Sequence, residues 1–246
     1  MWKWQGRIEY VFDMAQRRIL LEYRRRTKPE LVTIEGIKLA IAPDISTGPR
    51  EALYGGYYEK SELKIVKRHL KPSDRVMEIG AGLGLISTYC AQKIGSDRVF
   101  TYEANPALEP FIRHTYEINN VNPSLQICLV GNQPGEETFY IGKAFWSSST
   151  IQRNSTDQPI QIPVKPFNEE VHKINPTFLI VDIEGGEYEL LKDADFHNIK
   201  NIAIEIHEVV IGKEKVEFVK AKFAEAGFQL NERFSSKGEL FLQRSL

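Results

Sequence analysis

From Arg75 onward short apolar runs alternate with stretches of helical period: Val76 to Ile79, a helix near Leu83 to Ile94, Val99 to Tyr102, a helix near Ala107 to Asn119, then Leu125 to Val130. Strand, helix, strand, helix, strand predicts a parallel sheet with helical crossovers. The pattern resumes with Phe178 to Ile183, a short helix near Gly186 to Leu191, Ile202 to Ile206, a helix near Glu214 to Glu225, and strands Gln229 to Phe234 and Glu239 to Gln243. The tight turn Ser235-Ser236-Lys237-Gly238 makes those last two strands antiparallel to each other. The expected fold is α/β: a Rossmann-like, doubly wound, mostly parallel sheet with a terminal antiparallel strand. Thr138 to Ile141 and Ile160 to Val164 read as extra strands around a polar loop with Trp146, Ser147, Ser148 and Ser149, whose aromatic plane and hydroxyls suit a polar acceptor.

Upstream, Trp4, Ile8, Val11, Phe12, Ala15, Ile19 and Tyr23 fall on one helical stripe within residues 1–28, a segment of charge +5 against −6 for the remainder. Such a basic amphipathic helix either covers the main domain or pairs with a second copy, or docks on an anionic membrane surface or acidic partner. Burial against protein is the favoured reading. Val32 to Ile34 and Ile37 to Ile41, joined at Glu35-Gly36, predict a hairpin, followed by a loop through Gly55-Gly56 and a short helix from Glu59 to Leu70. The expected division is a helix-and-hairpin cap over 1–56 and a Rossmann-like domain over 57–246.

Composition adds mainly exclusions. With 42% apolar and 26% charged residues, 246 residues bury one sizeable core and fit no disordered or collagen-like class. A net charge of −1 offers no global electrostatic case for nucleic acid. Cys90 and Cys128 lack metal or redox spacing, and neither a membrane-length apolar run nor signal-peptide order is present, so a cytoplasmic protein is expected.

Chemistry concentrates at Glu78-Ile79-Gly80-Ala81-Gly82-Leu83-Gly84, which closes the first regular strand where a doubly wound sheet binds nucleotides. The glycines are spaced two and two, not two and three as in the dinucleotide fingerprint, and no Lys-Ser/Thr follows as in a P-loop. Glu103, ending the second strand, can accept from both hydroxyls of an adenosine ribose. Glu78 sets a negative charge beside the turn with no Lys or Arg before Tyr89, which suits a sulfonium and ammonium better than a diphosphate. These features favour S-adenosylmethionine over NAD or ATP.

ExGxGxG, the acidic end of the second strand and the terminal antiparallel strand together resemble class I S-adenosylmethionine-dependent methyltransferases. Gly56-Tyr57-Tyr58-Glu59, Tyr102-Glu103-Ala104-Asn105-Pro106, Ser147-Ser148-Ser149 and above all Val181-Asp182-Ile183-Glu184-Gly185-Gly186-Glu187 narrow the resemblance to FkbM-type methyltransferases, over roughly Gly55 to His207. That resemblance implies methyl transfer to hydroxyl oxygens of sugars and secondary metabolites. It also implies Glu78, Gly80, Ala81, Gly82 and Gly84 around the methionine part of the cofactor and Glu103 on its ribose, while Asn132 could face the adenine. The chain departs from the family at Glu78 and Gly82, where members often carry Asp and Asn.

A hydroxyl must lose its proton on attack, so a base is expected at the strand ends. Asp182 and Glu184 end the fourth strand and by alternation point to one side, and Glu205 and His207 do likewise at the end of the fifth. His207, with a near-neutral ordinary pKa, is the expected base, oriented by Asp182 or Glu184. The same carboxylates permit a divalent metal, although without a spaced ligand motif none is expected. His69, His114, His172 and His197 show no readable partner. Two other classes stay open: a nicotinamide-dependent oxidoreductase on the same sheet, and a catalytically silent cofactor-binding module.

Overall fold

The computed structural model describes residues 17–41, 45–142, 150, 152, 154–236 and 238–245. The hairpin forms as expected: β1 (Leu31–Ile34) pairs antiparallel with β2 (Ile37–Ala40). Its two-residue turn takes the positive φ of Glu35 (49°) and Gly36 (86°), the twist a tight hairpin needs. Val32, Ile34, Ile37 and Leu39 turn inward and join the main core, and Asn119 clips the hairpin by accepting from Lys38 N (3.0 Å) and donating to Lys38 O (2.7 Å).

The segment expected as a loop before Gly55 is instead helix α2 (Thr47–Gly55). Pro49 is tolerated in its first turn, where backbone N–H groups have no intrahelical partner anyway. The preceding helix, α1, is described over 17–27, and Trp4, Ile8, Val11, Phe12 and Ala15 of the predicted stripe lie outside the described residues. Its described members Ile19 and Tyr23 are exposed in the single chain, at 71% and 64%, so these two side chains do not pack on the main domain. The helix is anchored through another face: Leu21 packs on the core, and Arg24 donates to the carbonyls of Leu53 (3.2 Å) and Tyr54 (3.0 Å).

The main sheet comprises β3 (Val76–Ile79), β4 (Val99–Glu103), β5 (Ser124–Ile127), β9 (Phe178–Val181), β10 (Asn201–Glu205), β11 (Gln229–Leu230) and β12 (Glu239–Gln243). Their order is β11-β12-β10-β9-β3-β4-β5, and only β12 runs antiparallel to its neighbours. β3 and β9 at the centre are buried on both faces, which explains the continuous apolar run of β9 and the apolar residues around the buried Glu78 in β3. One face carries α3 (Lys60–His69), α4 (Leu85–Ile94), α5 (Glu109–Ile118) and the hairpin; the other carries α6 (Phe167–Ile174), α7 (Glu187–Leu191), the short α8 (Glu208–Ile211) and α9 (Lys213–Glu225). Cys90 and Cys128 are free and buried.

The apolar run Leu125 to Val130 proves to be two strands. β5 stays in the main sheet, while β6 (Leu129–Gly131) joins β7 (Gly135–Ile141) and β8 (Gln158–Pro166) in a separate three-stranded sheet. The polar loop holding Trp146 and Ser147 to Ser149 lies outside the described residues. Among the described residues no helix is long and apolar enough to cross a membrane.

Candidate active site

A cavity of about 760 Å³ opens over the carboxyl ends of β3, β4, β9 and β10, and the β6–β8 sheet gives it a further wall through Val130, Phe139 and Val164. Its size and its place at the strand ends are those of a nucleotide-sized ligand site. Gly80, Gly82, Glu103, Asn132, Asp182 and Glu184 line it; Glu78, Ala81, Gly84 and His207 do not.

Side-chain alternation along β3 explains the absence of Glu78. Val76 packs with the α4 side and Met77 and Ile79 with the other, so Glu78 shares the face of Val76. Its Oε1 accepts from Ser87 N (3.1 Å) in α4, away from the cavity, and burial pushes its carboxyl up to about 8. The expectation that Glu78 puts a negative charge beside the methionine end of a cofactor is therefore corrected.

The charge at the bend comes from Glu103. Its Oε2 accepts from Ala81 N (3.0 Å) and Gly82 N (3.1 Å), and its Oε1 accepts from Asn105 N (2.8 Å). Backbone N–H groups that would grip a pyrophosphate are thus already occupied by a carboxylate of the chain. Burial raises the Glu103 pKa, against the lowering effect of these N–H donors. Ala81 contributes through its N–H alone, and Gly84 serves as the N-cap of α4. The glycines are demanded by packing as much as by any ligand. A Cβ on Gly80 would lie 1.8 Å from the carbonyl oxygen of Asp182, and one on Gly82 would lie 2.3 Å from Tyr58 Oη and 2.8 Å from Glu59 Oε1. Tyr58 and Glu59 lead into α3 and lie over the bend, with Tyr58 Oη accepting from Leu83 N (3.3 Å). Asn132 lines the cavity with its amide committed to Glu189 O (2.5 Å).

At the other end the predicted catalytic residues do converge, in an order the sequence did not reveal. β9 stops at Val181, so Asp182 and Glu184 stand in a loop in which Glu184 (φ 54°) and Gly185 (φ 108°) turn the chain back. Asp182, Glu184 and Glu205 form the cavity wall, and His207 lies behind them with Nε2 at 4.0, 3.5 and 3.7 Å from their oxygens. The orienting partner is neither Asp182 nor Glu184 but Glu187, fully buried, whose Oε1 meets His207 Nδ1 at 2.6 Å and Gly185 N at 2.9 Å. Glu187 stands in the Asp182 to Glu187 segment, yet its place at the start of α7 reads as an ordinary helix-end acid.

Burial lowers the His207 pKa, but the Glu187 hydrogen bond and the charges of Glu184, Glu187 and Asp182 outweigh it and raise it to about 9. The expected near-neutral base is therefore an imidazolium at pH 7. Asp182 is held well above the usual carboxylate range, by burial and by Glu205 and Glu184, with His207 pulling it down. Among the described residues, Asp182, Glu205 and His207, and separately Glu62, Glu205 and Glu239, place possible ligand atoms within 4.8 Å of one another. Below its raised pKa, His207 has no lone pair for a cation, so metal and proton would compete there.

The sheet order, with its single antiparallel strand inside the β10 end, and a cavity at the glycine bend define a Rossmann-like class I methyltransferase fold. The family described as Methyltransferase FkbM domain matches residues 78–230, and the chain belongs to it. A provisionally named protein N5-glutamine methyltransferase of Methanocaldococcus jannaschii is 32% identical over 97 residues, 38% of this chain and 43% of that protein; the match thus spans less than half of the relative's length. A methyltransferase from Pyrococcus furiosus superposes with TM-score 0.48 at 15% identity, covering 94% of this chain and 100% of that one. The tRNA (uracil-54, C5)-methyltransferase of Pyrococcus abyssi, in complex with S-adenosyl-L-homocysteine, superposes with TM-score 0.48 at 13% identity, covering 87% and 43%.

Proposed function

We propose that this chain is an S-adenosylmethionine-dependent methyltransferase whose acceptor is a hydroxyl oxygen of a small molecule or glycan. The observation that carries the choice of donor is the Glu103 carboxylate seated on the N–H groups of Ala81 and Gly82. It leaves that end of the cavity suited to cations and hydroxyls and unsuited to a pyrophosphate. Family membership supports the same donor. Gly80, Gly82 and Glu103 would hold it, with Asn132 further along the cavity. When bound, S-adenosylmethionine supplies a methyl carbon activated by its sulfonium, so alignment provides most of the rate.

The chain's own task is the acceptor's proton. Asp182, Glu184 and Glu205 front the cavity, and a carboxylate among them is the group a hydroxyl would reach. His207 is a positioning residue: its positive charge behind these carboxylates favours their ionised form, and Glu187 fixes its ring. The rate should rise with pH as this cluster gives up its proton.

The test is an acceptor screen with sugars, hydroxylated metabolites and a glutamine-containing peptide, followed by pH–rate profiles of wild type and His207→Gln. Loss of the imidazolium raises the pKa of Asp182, so the rising limb of the variant should move to higher pH while S-adenosylhomocysteine affinity stays unchanged. An unmoved limb removes His207 from this role. Methylation of the peptide amide in place of any hydroxyl replaces the proposed acceptor class with the one that the Methanocaldococcus relative's name indicates.

A further inference from the structure

Glu59 lays an acidic side chain over the glycine bend from outside the sheet. It sits just before α3 in a left-handed conformation (φ 46°) and lines the cavity, and its Oε1 stands 2.8 Å from where a Cβ on Gly82 would be. Its other oxygen, Oε2, is buried without a hydrogen-bond partner. A buried carboxylate oxygen lacking a donor is costly, and a left-handed non-glycine residue adds strain. Arrangements of this kind persist where a ligand completes them.

We propose that Glu59 is a cofactor-binding residue that receives the α-ammonium of the amino-acid end of the donor. This assignment rests on the S-adenosylmethionine reading above. The chemistry selects the ammonium over the sulfonium: an ammonium brings three N–H donors to an orphaned carboxylate oxygen, and a sulfonium brings none. Position agrees, because Glu103 reaches the bend from β4 through the N–H groups of Ala81 and Gly82, whereas Glu59 reaches Gly82 from the segment before α3. Phosphate ligands are disfavoured at the same spot, since the N–H groups of Ala81 and Gly82 that would cradle one are occupied by Glu103. The burial of Glu59 also raises its pKa well above the ordinary range, as expected of a carboxyl awaiting a counter-charge.

The experiment is calorimetric titration of the full chain, wild type and Glu59→Gln, with four probes: S-adenosylmethionine, S-adenosylhomocysteine, S-adenosylhomocysteine lacking its α-amino group, and 5′-methylthioadenosine. The proposal expects Glu59→Gln to weaken the first two alike, by ~10-fold or more, and 5′-methylthioadenosine by less than ~2-fold. On wild type alone, removal of the ligand's amino group should produce the same ~10-fold loss, so the result does not depend on the variant folding. Equal loss for all probes, a loss confined to S-adenosylmethionine, or equal affinity with and without the amino group each overturns the assignment while leaving the donor reading intact. A wild-type chain that binds none of the four overturns both.

Discussion

Glu187→Gln isolates the interaction that sets the charge state behind the cavity wall. The rise of the His207 pKa from 6.5 to about 9 corresponds to about 3 kcal/mol favouring the imidazolium, held by a side chain only 16% exposed. Glu187 supplies the hydrogen bond at 2.6 Å and a share of the charge, Glu184 and Asp182 the rest. Glutamine keeps an acceptor oxygen at that place and removes the charge, so the His207 pKa should fall by roughly 1–2 units. Because the folded-state value lies above the unfolded one, the stability His207 contributes is fully present below pH 6.5 and lost as pH rises through about 9. The variant should accordingly be most destabilised near pH 6 and least above pH 9. Carbon-13 labelling of the ring Cε1 positions reads the titration directly, and His207→Gln assigns the resonance among the five histidines. A wild-type His207 that titrates below pH 7, or one unmoved by Glu187→Gln, refutes the arrangement.

Three further outcomes follow from the same geometry. Gly82→Asp should abolish S-adenosylhomocysteine binding in calorimetry, because its Cβ meets Tyr58 Oη at 2.3 Å and Glu59 Oε1 at 2.8 Å and forces the side chains over the bend to shift; retained affinity would contradict the placement of the cofactor. Glu78→Gln should leave that affinity within ~2-fold, since Glu78 faces α4. It should also flatten the loss of stability between pH 4.5 and 8, a window worth as much as about 5 kcal/mol in denaturant titrations, because a raised carboxyl pKa penalises the fold as pH rises. Arg244→Ala removes donors to Ile199 O (2.7 Å), Ala226 O (3.0 Å) and Phe196 O (3.1 Å) and the cation over Phe228, and should lower unfolding stability by ~2–4 kcal/mol without changing cofactor affinity.

What was legible in the sequence was whatever periodicity writes locally. The hairpin turn at Glu35-Gly36, the strands from β3 to β10 and the antiparallel β12 follow from alternation, turn residues and apolar runs. The split of Leu125 to Val130 between two sheets was not legible, because an apolar run does not record which partner each half pairs with. Helix α6 carries Phe167, Val171 and Ile174 at helical spacing, but in only eight residues. At the site, Asp182, Glu184 and His207 were identifiable from residue type and strand ends, while their order in space was not: His207 behind the carboxylates and Glu187 behind His207 are set by the reversal at Glu184-Gly185. Glu78 misled because a strand buried on both faces does not show which face any one residue takes.

The central claim is that a glycine bend already filled by the chain's own Glu103 accepts a cationic methyl donor and refuses a dinucleotide. Titration of the wild-type protein with S-adenosylhomocysteine and with NAD tests it most directly. Saturable binding of S-adenosylhomocysteine, with no heat from NAD at the same concentrations, is the predicted result; NAD binding in the absence of S-adenosylhomocysteine binding would contradict it.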